Sequence, residues 1–480
     1  MVRTRFAPSP TGFMHLGNFR TALYTWLYAR KNNGAFILRL EDTDQKRKVE
    51  GAVEAIYRSM RLAGLDWDEG PDIGGEYGPY IQSERKALYL PYAKELVEKG
   101  EAYYCFCTKE RLDALREEQG DTFTYDKHCM SLSKEEVEAK LAAGEPYVIR
   151  QNMPTEGVTT FHDVIFGDIE VENSTLDDQI LIKTDGLPTY NFANVIDDHT
   201  MGITHIMRGN EYLSSTPKYN LLYDAFGWEI PTYLHLSTIM ADSSRKLSKR
   251  HGDPSFEDLL NEGYVMEAVI NYMALLGWSP GNDREMYTLK ELSEVFDLKG
   301  VSKSPAIFDK EKLTWFNAEY IRQKPLEEFH DLILPYMEKV IDTAKFDTMK
   351  LAGLLQPRCE VLPDIMDKID FFVEMPDYDI ALFTHKRMKT NPEKSLPVLE
   401  ELVGVLEGVE SFDTETLKTV ISEYITEKGV KNGAVLWPLR VAISGKMSTP
   451  GGAYEIAELL GKEETLARLN TSIEKIKAEL

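Results

Sequence analysis

Ala7-Pro8-Ser9-Pro10-Thr11-Gly12-Phe13-Met14-His15-Leu16-Gly17-Asn18 lies between two regular patterns. Before it runs a short strand-like segment, Val2 to Phe6. After it, Leu16, Phe19, Leu23, Trp26 and Leu27 recur at helical spacing. Prolines and a glycine break the chain where the strand ends. His15, Gly17 and Asn18 therefore fall on the first turn of a helix, where unpaired N–H groups and the positive dipole end attract anions. Gly17 lets a ligand approach the backbone, and an imidazole with a carboxamide beside it suits a triphosphate. Alone, the segment is also simply a capped helix. What changes the reading lies downstream in Ser243-Ser-Arg-Lys-Leu-Ser-Lys-Arg-His-Gly252, a cationic loop of small and basic residues.

Working outward, residues 1 to about 85 alternate strand-like and helical segments: Phe36–Leu40 reads as a buried strand ending in carboxylates, and Gly51–Leu62 as a helix. That alternation predicts a parallel α/β sheet with ligands at the carboxyl ends of its strands. Residues 86–188 change character and read as an insertion. It holds a charged helix (Ser133–Ala143) and strand-like runs at Tyr147–Arg150 and Gly167–Val171. The α/β pattern resumes with Gln179–Lys183 and Thr204–Arg208. From Pro325 the chain is helix after helix, with no internal repeat.

The 480 residues exceed a single core. Hydrophobic residues make up 43% and charged residues 28%, an ordinary globular composition. No apolar run reaches the ~20 residues of a bilayer span, and Met1–Arg5 leads into prolines rather than a signal-peptide core. Four cysteines argue against a disulfide framework and for a reducing, cytoplasmic setting. The net charge of −24 opposes a polyanionic partner overall. Local clusters act within a Debye length of ~8 Å, however, and basic ones occur at Lys46–Lys48, Arg245–His251 and His385–Lys389.

The pair His15-Leu-Gly-Asn18 and Lys246-Leu-Ser-Lys-Arg250 resembles the two nucleotide signatures of class I aminoacyl-tRNA synthetases. Arg5-Phe-Ala-Pro-Ser-Pro-Thr-Gly12 and Arg39-Leu-Glu-Asp-Thr-Asp44 look like the bacterial glutamyl-tRNA synthetase branch, and the likeness runs almost the whole chain. It implies a Rossmann-like catalytic domain in two halves (1–85 and 189–252). A connective-peptide insertion (86–188) would grip the tRNA acceptor end, followed by a stem-contact region (253–322) and an all-α anticodon-binding part (323–480). The expected reaction joins L-glutamate to tRNA(Glu), with ATP and Mg²⁺ and no membrane, in a monomer. Rivals are a glutaminyl-tRNA synthetase, a non-discriminating enzyme that also charges tRNA(Gln), and an inactive tRNA-binding paralogue.

The resemblance also assigns residues. His15, Asn18, Lys246 and Lys249 form the catalytic set, with Lys249 neutralising charge on the α-phosphorus. Pro8, Ser9, Thr11, Gly12 and Gly17 join them around ATP. Arg5 and Arg208 face the substrate carboxylates, because an arginine fork suits a carboxylate. Glu41 meets the ammonium, and Ala7, Ser9, Tyr190 and Asn194 complete the glutamate site. Asp42 and Asp44 read as solvated acids or caps rather than magnesium ligands. Cys105, Cys107 and Cys129 could hold a structural zinc, as in some family members, with Tyr125 or His128 as fourth ligand. Cys359 reads as core. Arg358, in Leu355-Gln-Pro-Arg358, resembles an anticodon-reading arginine, and Arg440 is a second candidate.

Overall fold

The computed structural model describes residues 1–12, 14–44, 49–120, 123–247 and 251–480. Packing divides the chain into two units, Met1–Leu260 with Val269–Asp309, and Asn261–Ala268 with Lys310–Leu480.

The first unit begins with β1 (Arg3–Phe6), α1 (Leu16–Lys31), β2 (Ala35–Leu38), α2 (Ala52–Leu62) and α3 (Lys86–Glu98). It continues with β3 (Ala102–Cys105), α4 (Lys109–Gln119), α5 (Lys134–Ala142), β4 (Val148–Gln151), β5 (Val158–Asp163), β6 (Gly167–Glu172) and β7 (Ile180–Ile182). Then come α6 (Tyr190–Thr200), β8 (His205–Gly209), α7 (Thr216–Phe226) and β9 (Thr232–Leu236). The main sheet has the order β2-β1-β8-β9-β5-β6. Every pairing in it is parallel except β5 with β6. The order reverses at β1, so a crevice opens beyond the carboxyl ends of β1 and β8, where α/β sheets bind ligands.

Helix α1 starts where the sequence predicts. His15 is its N-cap, in extended backbone, and its side chain accepts from Gly17 N. The predicted stripe is buried on α1, and Phe19 stacks on Phe256 at 4.1 Å. At the other end Arg30 and Lys31 meet the negative dipole. Gly34 then passes so close to the Val2 carbonyl that any Cβ would collide.

The insertion differs from its sequence reading in two respects. Gly167–Val171, expected there, is strand β6, and its hairpin with β5 closes the main sheet instead. Ile180–Ile182, expected to resume the α/β pattern, instead pairs antiparallel with β4 in a three-stranded sheet β3-β4-β7. The reason is burial: Ile149 and Leu181 share one core with Tyr89 and Leu96 of α3 and Phe192 of α6. In contrast, β5 alternates exposed and buried residues, the pattern of a strand with one face in water.

The first unit also carries β10 (Ile239–Met240), α8 (Phe256–Asn261, whose last residue falls in the second unit), α9 (Met266–Leu275, shared with the second unit), α10 (Leu289–Val295) and β11 (Ala306–Ile307). The second unit is helical, as predicted: α11 (Lys310–Gln323), α12 (Leu326–Met337), α13 (Thr348–Leu355), α14 (Asp364–Ile369), α15 (Pro392–Glu407), α16 (Thr414–Lys428), α17 (Asn432–Ser444) and α18 (Ala453–Glu479). Gly461, at φ +77°, kinks α18. Arg468 on α18 is buried and donates to the carbonyls of Phe371 and Ile443. Cys359 is buried, as expected. Among the described residues no helix is long and apolar enough to cross a membrane.

Leu23 is fully buried in α1 beneath the sheet. Leu23→Ala should cost about 2–5 kcal/mol of stability, from lost burial plus the cavity left behind, read as a lower urea midpoint.

Candidate active site

Backbone hydrogen bonds extend the β1–β2 ladder past the strands. Arg39 N donates to Phe6 O at 3.0 Å, and Glu41 N to Pro8 O at 3.1 Å. The segment after β1 is thus clamped beside the carboxylates after β2. Together with the end of β8 they enclose a cavity of about 170 Å³. Of the predicted residues, Arg5, Ala7, Pro8, Ser9, Thr11, Asn18, Glu41, Tyr190 and Arg208 line it. Thr21, Met207, Gly209, Glu211 and Tyr212 line it as well, none of them foreseen. Gly12, His15, Gly17, Asn194 and Lys246 do not. Asn194 is buried, with its amide donating to the Tyr190 carbonyl one turn back.

Beneath the cavity lies a charged knot. Arg5 Nε and Nη2 donate to the two carboxylate oxygens of Asp198 at 3.0 and 3.2 Å. Arg39 Nη1 reaches Asp198 at 2.7 Å, and its Nη2 reaches Glu41 Oε1 at 2.8 Å. All four side chains are at least 95% buried. Burial would raise the Asp198 pKa, but Arg39 and Arg5 hold it below the usual carboxylate range. For Glu41 burial wins and its pKa rises, only partly offset by Arg39 and Arg5. Arg39 Nε also donates to Glu41, at 3.3 Å, and both of its bonds to that carboxylate end on Oε1. Arg5 Nη1 also meets Met207 O at 3.4 Å, which leaves two of its five N–H hydrogens for other acceptors.

Arg208 has different supports. Its Nε lies 3.2 Å from His235 Nε2, and its Nη2 is 3.2 Å from Thr216 Oγ1. Nη1 is buried without a partner. The rings of Tyr219, Tyr212 and Tyr233 surround the guanidinium at 4.6, 5.1 and 5.5 Å, a cation–π cage. Burial keeps Tyr190 a neutral phenol, its pKa well above the ordinary value.

The two sequence signatures meet in the fold. His15 Nδ1 accepts from Gly17 N, so Nε2 carries the proton and donates to Leu247 O at 3.1 Å. Lys246 is exposed and bridged to Met240. Arg245 forms ion pairs with Asp253 and Asp242, which cancels part of the loop's charge. Lys249 lies outside the described residues, as do Lys46–Lys48. Asp42 acts as a cap: it accepts from Ser83 N and Oγ, both at 2.8 Å.

Beside the three-stranded sheet, the sulfurs of Cys105, Cys107 and Cys129 lie within 4.8 Å of one another. Tyr125 Oη sits 3.2 Å from both Cys105 Sγ and Cys107 Sγ. His128 is exposed and outside this cluster, so of the two proposed fourth ligands the phenol is the one in place. In the second unit, Arg440 Cζ stands 4.6 Å over the Trp437 ring, and the His385 ring is 4.2 Å from the same indole. Burial, then the charge of exposed Arg358, lowers the Arg440 pKa.

Comparison with known proteins gives this geometry a family. Residues 1–315 match the catalytic domain of class I tRNA synthetases (E and Q), and residues 328–473 match an anticodon binding domain. The chain belongs to the class I tRNA synthetases of the E and Q type. It is similar to a glutamate–tRNA ligase of Clostridium tetani, 60% identical over 100% of this chain and 99% of the relative. One from Clostridium novyi is also 60% identical, over 99% and 98% of the two chains. A crystal structure of a glutamate tRNA ligase from Elizabethkingia meningosepticum, in complex with its amino acid, superposes with a TM-score of 0.91 at 38% identity over 99% of each chain.

Several residues of the synthetase site went unread in the sequence. Arg39 stands in a quoted motif without a role, and Asp198 is one of two adjacent acids on α6. His235 and Asp163 carry no local signal. Burial pushes the His235 pKa below the ordinary imidazole range, despite Asp163 Oδ2 at 2.7 Å. A histidine held neutral in the fold binds a proton once unfolded, so stability present above the unfolded pKa of ~6.5 is lost as pH falls toward the folded value. The slope is at most about 1.4 kcal/mol per pH unit for one such group. His199 and His205, also lowered by burial, add to it. Between about pH 7 and 5.5 the urea midpoint should therefore drop less in His235→Gln than in the wild type.

Proposed function

We infer that this synthetase joins L-glutamate to the 3′ end of tRNA(Glu) at the expense of ATP, through a glutamyl-adenylate. In the first step a carboxylate oxygen of glutamate attacks the α-phosphorus and pyrophosphate leaves. In the second, a ribose hydroxyl of the tRNA attacks the adenylate carbonyl and AMP leaves. Such chemistry needs positioning and charge stabilisation rather than a side-chain nucleophile. The observation that carries the reading is one cavity with cationic, acidic and phenolic groups at its β8 side and Ser9, Thr11 and Asn18 at its β1 side.

Glutamate offers two anions and one cation. The unpartnered Nη1 of Arg208 and the spare hydrogens of Arg5 suit the carboxylates. Glu41, whose Oε2 takes no bond from Arg39, suits the ammonium. Pro8, Gly12 and Gly17 leave room for ATP beside His15 and Asn18. Lys246 and Lys249 supply positive charge from the loop that His15 touches. Magnesium would be held mostly by phosphate oxygens and water. The glutaminyl reading finds no support among relatives that are themselves glutamate–tRNA ligases. Residues 86–188, less the β5–β6 hairpin, are assigned to the acceptor end, and Arg358 with the Trp437–Arg440 pair to unstacked anticodon bases. Free thiols fit a cytoplasmic enzyme, and we read it as a monomer.

The cysteine cluster fits a structural zinc. A tetrahedral ion with Zn–S bonds of ~2.3 Å needs sulfurs about 3.8 Å apart. Cys107 Sγ and Cys129 Sγ are 3.5 Å apart with Tyr125 Oη alongside. Purified protein should carry about one zinc per chain, and chelation should lower the melting temperature. Metal analysis finding under about a tenth of that in zinc-replete protein removes the assignment.

Charging assays on purified tRNA(Glu) and tRNA(Gln), each with glutamate and with glutamine, test the function. Glutamyl-tRNA(Glu) formed with ATP consumption is expected. Exclusive use of glutamine, or no product from folded enzyme, overturns it.

A further inference from the structure

Behind Arg208 runs a buried line of three charged or polar groups that the reaction above does not use. Asp163, the last residue of β5, accepts four hydrogen bonds: from Ile165 N and Phe166 N, and from His235 N and Nδ1, all between 2.7 and 2.9 Å. Its carboxylate is therefore saturated and fixed. Because Nδ1 must donate to Asp163, His235 Nε2 is left with a lone pair, and Arg208 Nε points at it from 3.2 Å. The opposite tautomer would set two donors against each other. Thr216 Oγ1 has Tyr212 O at 2.9 Å and the same His235 Nε2 at 3.3 Å as acceptors for its one proton, and towards Arg208, which has donors alone, it accepts. His235, Asp163 and Thr216 are essentially excluded from solvent, and none lines the cavity.

We propose that His235, fixed by Asp163, and Thr216 are positioning residues for Arg208, holding its fork so that Nη1 is the donor left for a substrate carboxylate. The proposal rests on the reading of Arg208 as the arginine that receives glutamate. Arg208 is the only member of the line that meets the cavity. A guanidinium otherwise turns freely about its stem, and a donor that must be oriented on binding binds more weakly.

Two substitutions separate positioning from mere packing. In His235→Asn the amide can still donate to Asp163 but stops short of Arg208. In His235→Gln the amide oxygen can take the place of Nε2. With tRNA(Glu) charging as the assay, His235→Asn should raise the KM for glutamate on the order of tenfold, the usual worth of a hydrogen bond to a charged group. The KM for ATP should stay within about twofold, and His235→Gln should restore most of the glutamate KM. An unchanged glutamate KM in folded His235→Asn, equal defects in the two variants, or a parallel rise in the ATP KM would each overturn the proposal. If His235→Asn does not fold, Thr216→Val supplies the decision: it removes the other acceptor, should raise the glutamate KM alone, and overturns the proposal if it does not. Arg208→Gln is the control. A normal glutamate KM there defeats the reading of Arg208 itself. A raised one beside a normal His235→Asn defeats only the relay.

Discussion

Asp198 is the group on which the site depends. A carboxylate with no exposure at the centre of the first unit would be prohibitively costly unless paired. Arg5 from β1 and Arg39 from just past β2 both converge on it from neighbouring strands. Removing one partner of such a buried set costs on the order of 3–5 kcal/mol, because the others are left uncompensated. The same bonds fix where the arginines point. Arg39, held by Asp198, holds Glu41 in turn, so an acid at the cavity wall is oriented before any ligand arrives. Groups locked in this way do not have to be ordered by the substrate.

The two arginines of the cavity are restrained in opposite ways. Arg5 is neutralised by a carboxylate and contributes little net charge. Arg208 is held by a neutral imidazole, a hydroxyl and aromatic faces, none of which cancels its charge. Arg208 therefore brings an unpaired cation to the cavity at the end of β8, where the acids Glu211 and Glu41 also belong to the lining. A lining that carries both signs of charge suits a zwitterionic amino acid. The overall charge of −24 does not decide this local field, because charges more than a Debye length away are largely screened. The converse holds at the lysine loop, where Asp253 and Asp242 take up Arg245.

What the sequence disclosed follows from how local each signal is. The α1 boundary is written in consecutive residues, with prolines and a glycine followed by a capping histidine and a helical stripe, and it forms where expected. The residues after β1 and β2 were legible for the same reason, and nine predicted side chains line one cavity. The sheet membership of Gly167–Glu172 and Ile180–Ile182 was not. Short strands carry no mark of their partner, and burial against α3 and α6 decides the pairing. Asp163 and His235 stand 72 residues apart on strands that become neighbours only in the folded sheet. An aspartate at a strand end reads as a cap, and a histidine in an apolar strand as core. Each is also that, and only their bond to Arg208 joins them to the site.

That bond places the β5–β6 hairpin in a new light. Along the chain it falls inside the stretch that separates the two halves of the parallel sheet, bounded by the antiparallel sheet β3-β4-β7. In space its turn end abuts β9, and Asp163 beside that turn takes His235, which takes Arg208. The hairpin thus has one exposed face, and its turn end is fastened through His235 to Arg208. The bonds that join the hairpin to the cavity run from its turn through Asp163 and His235 to Arg208. The knot around Asp198 stands apart, since β5 contributes nothing to it.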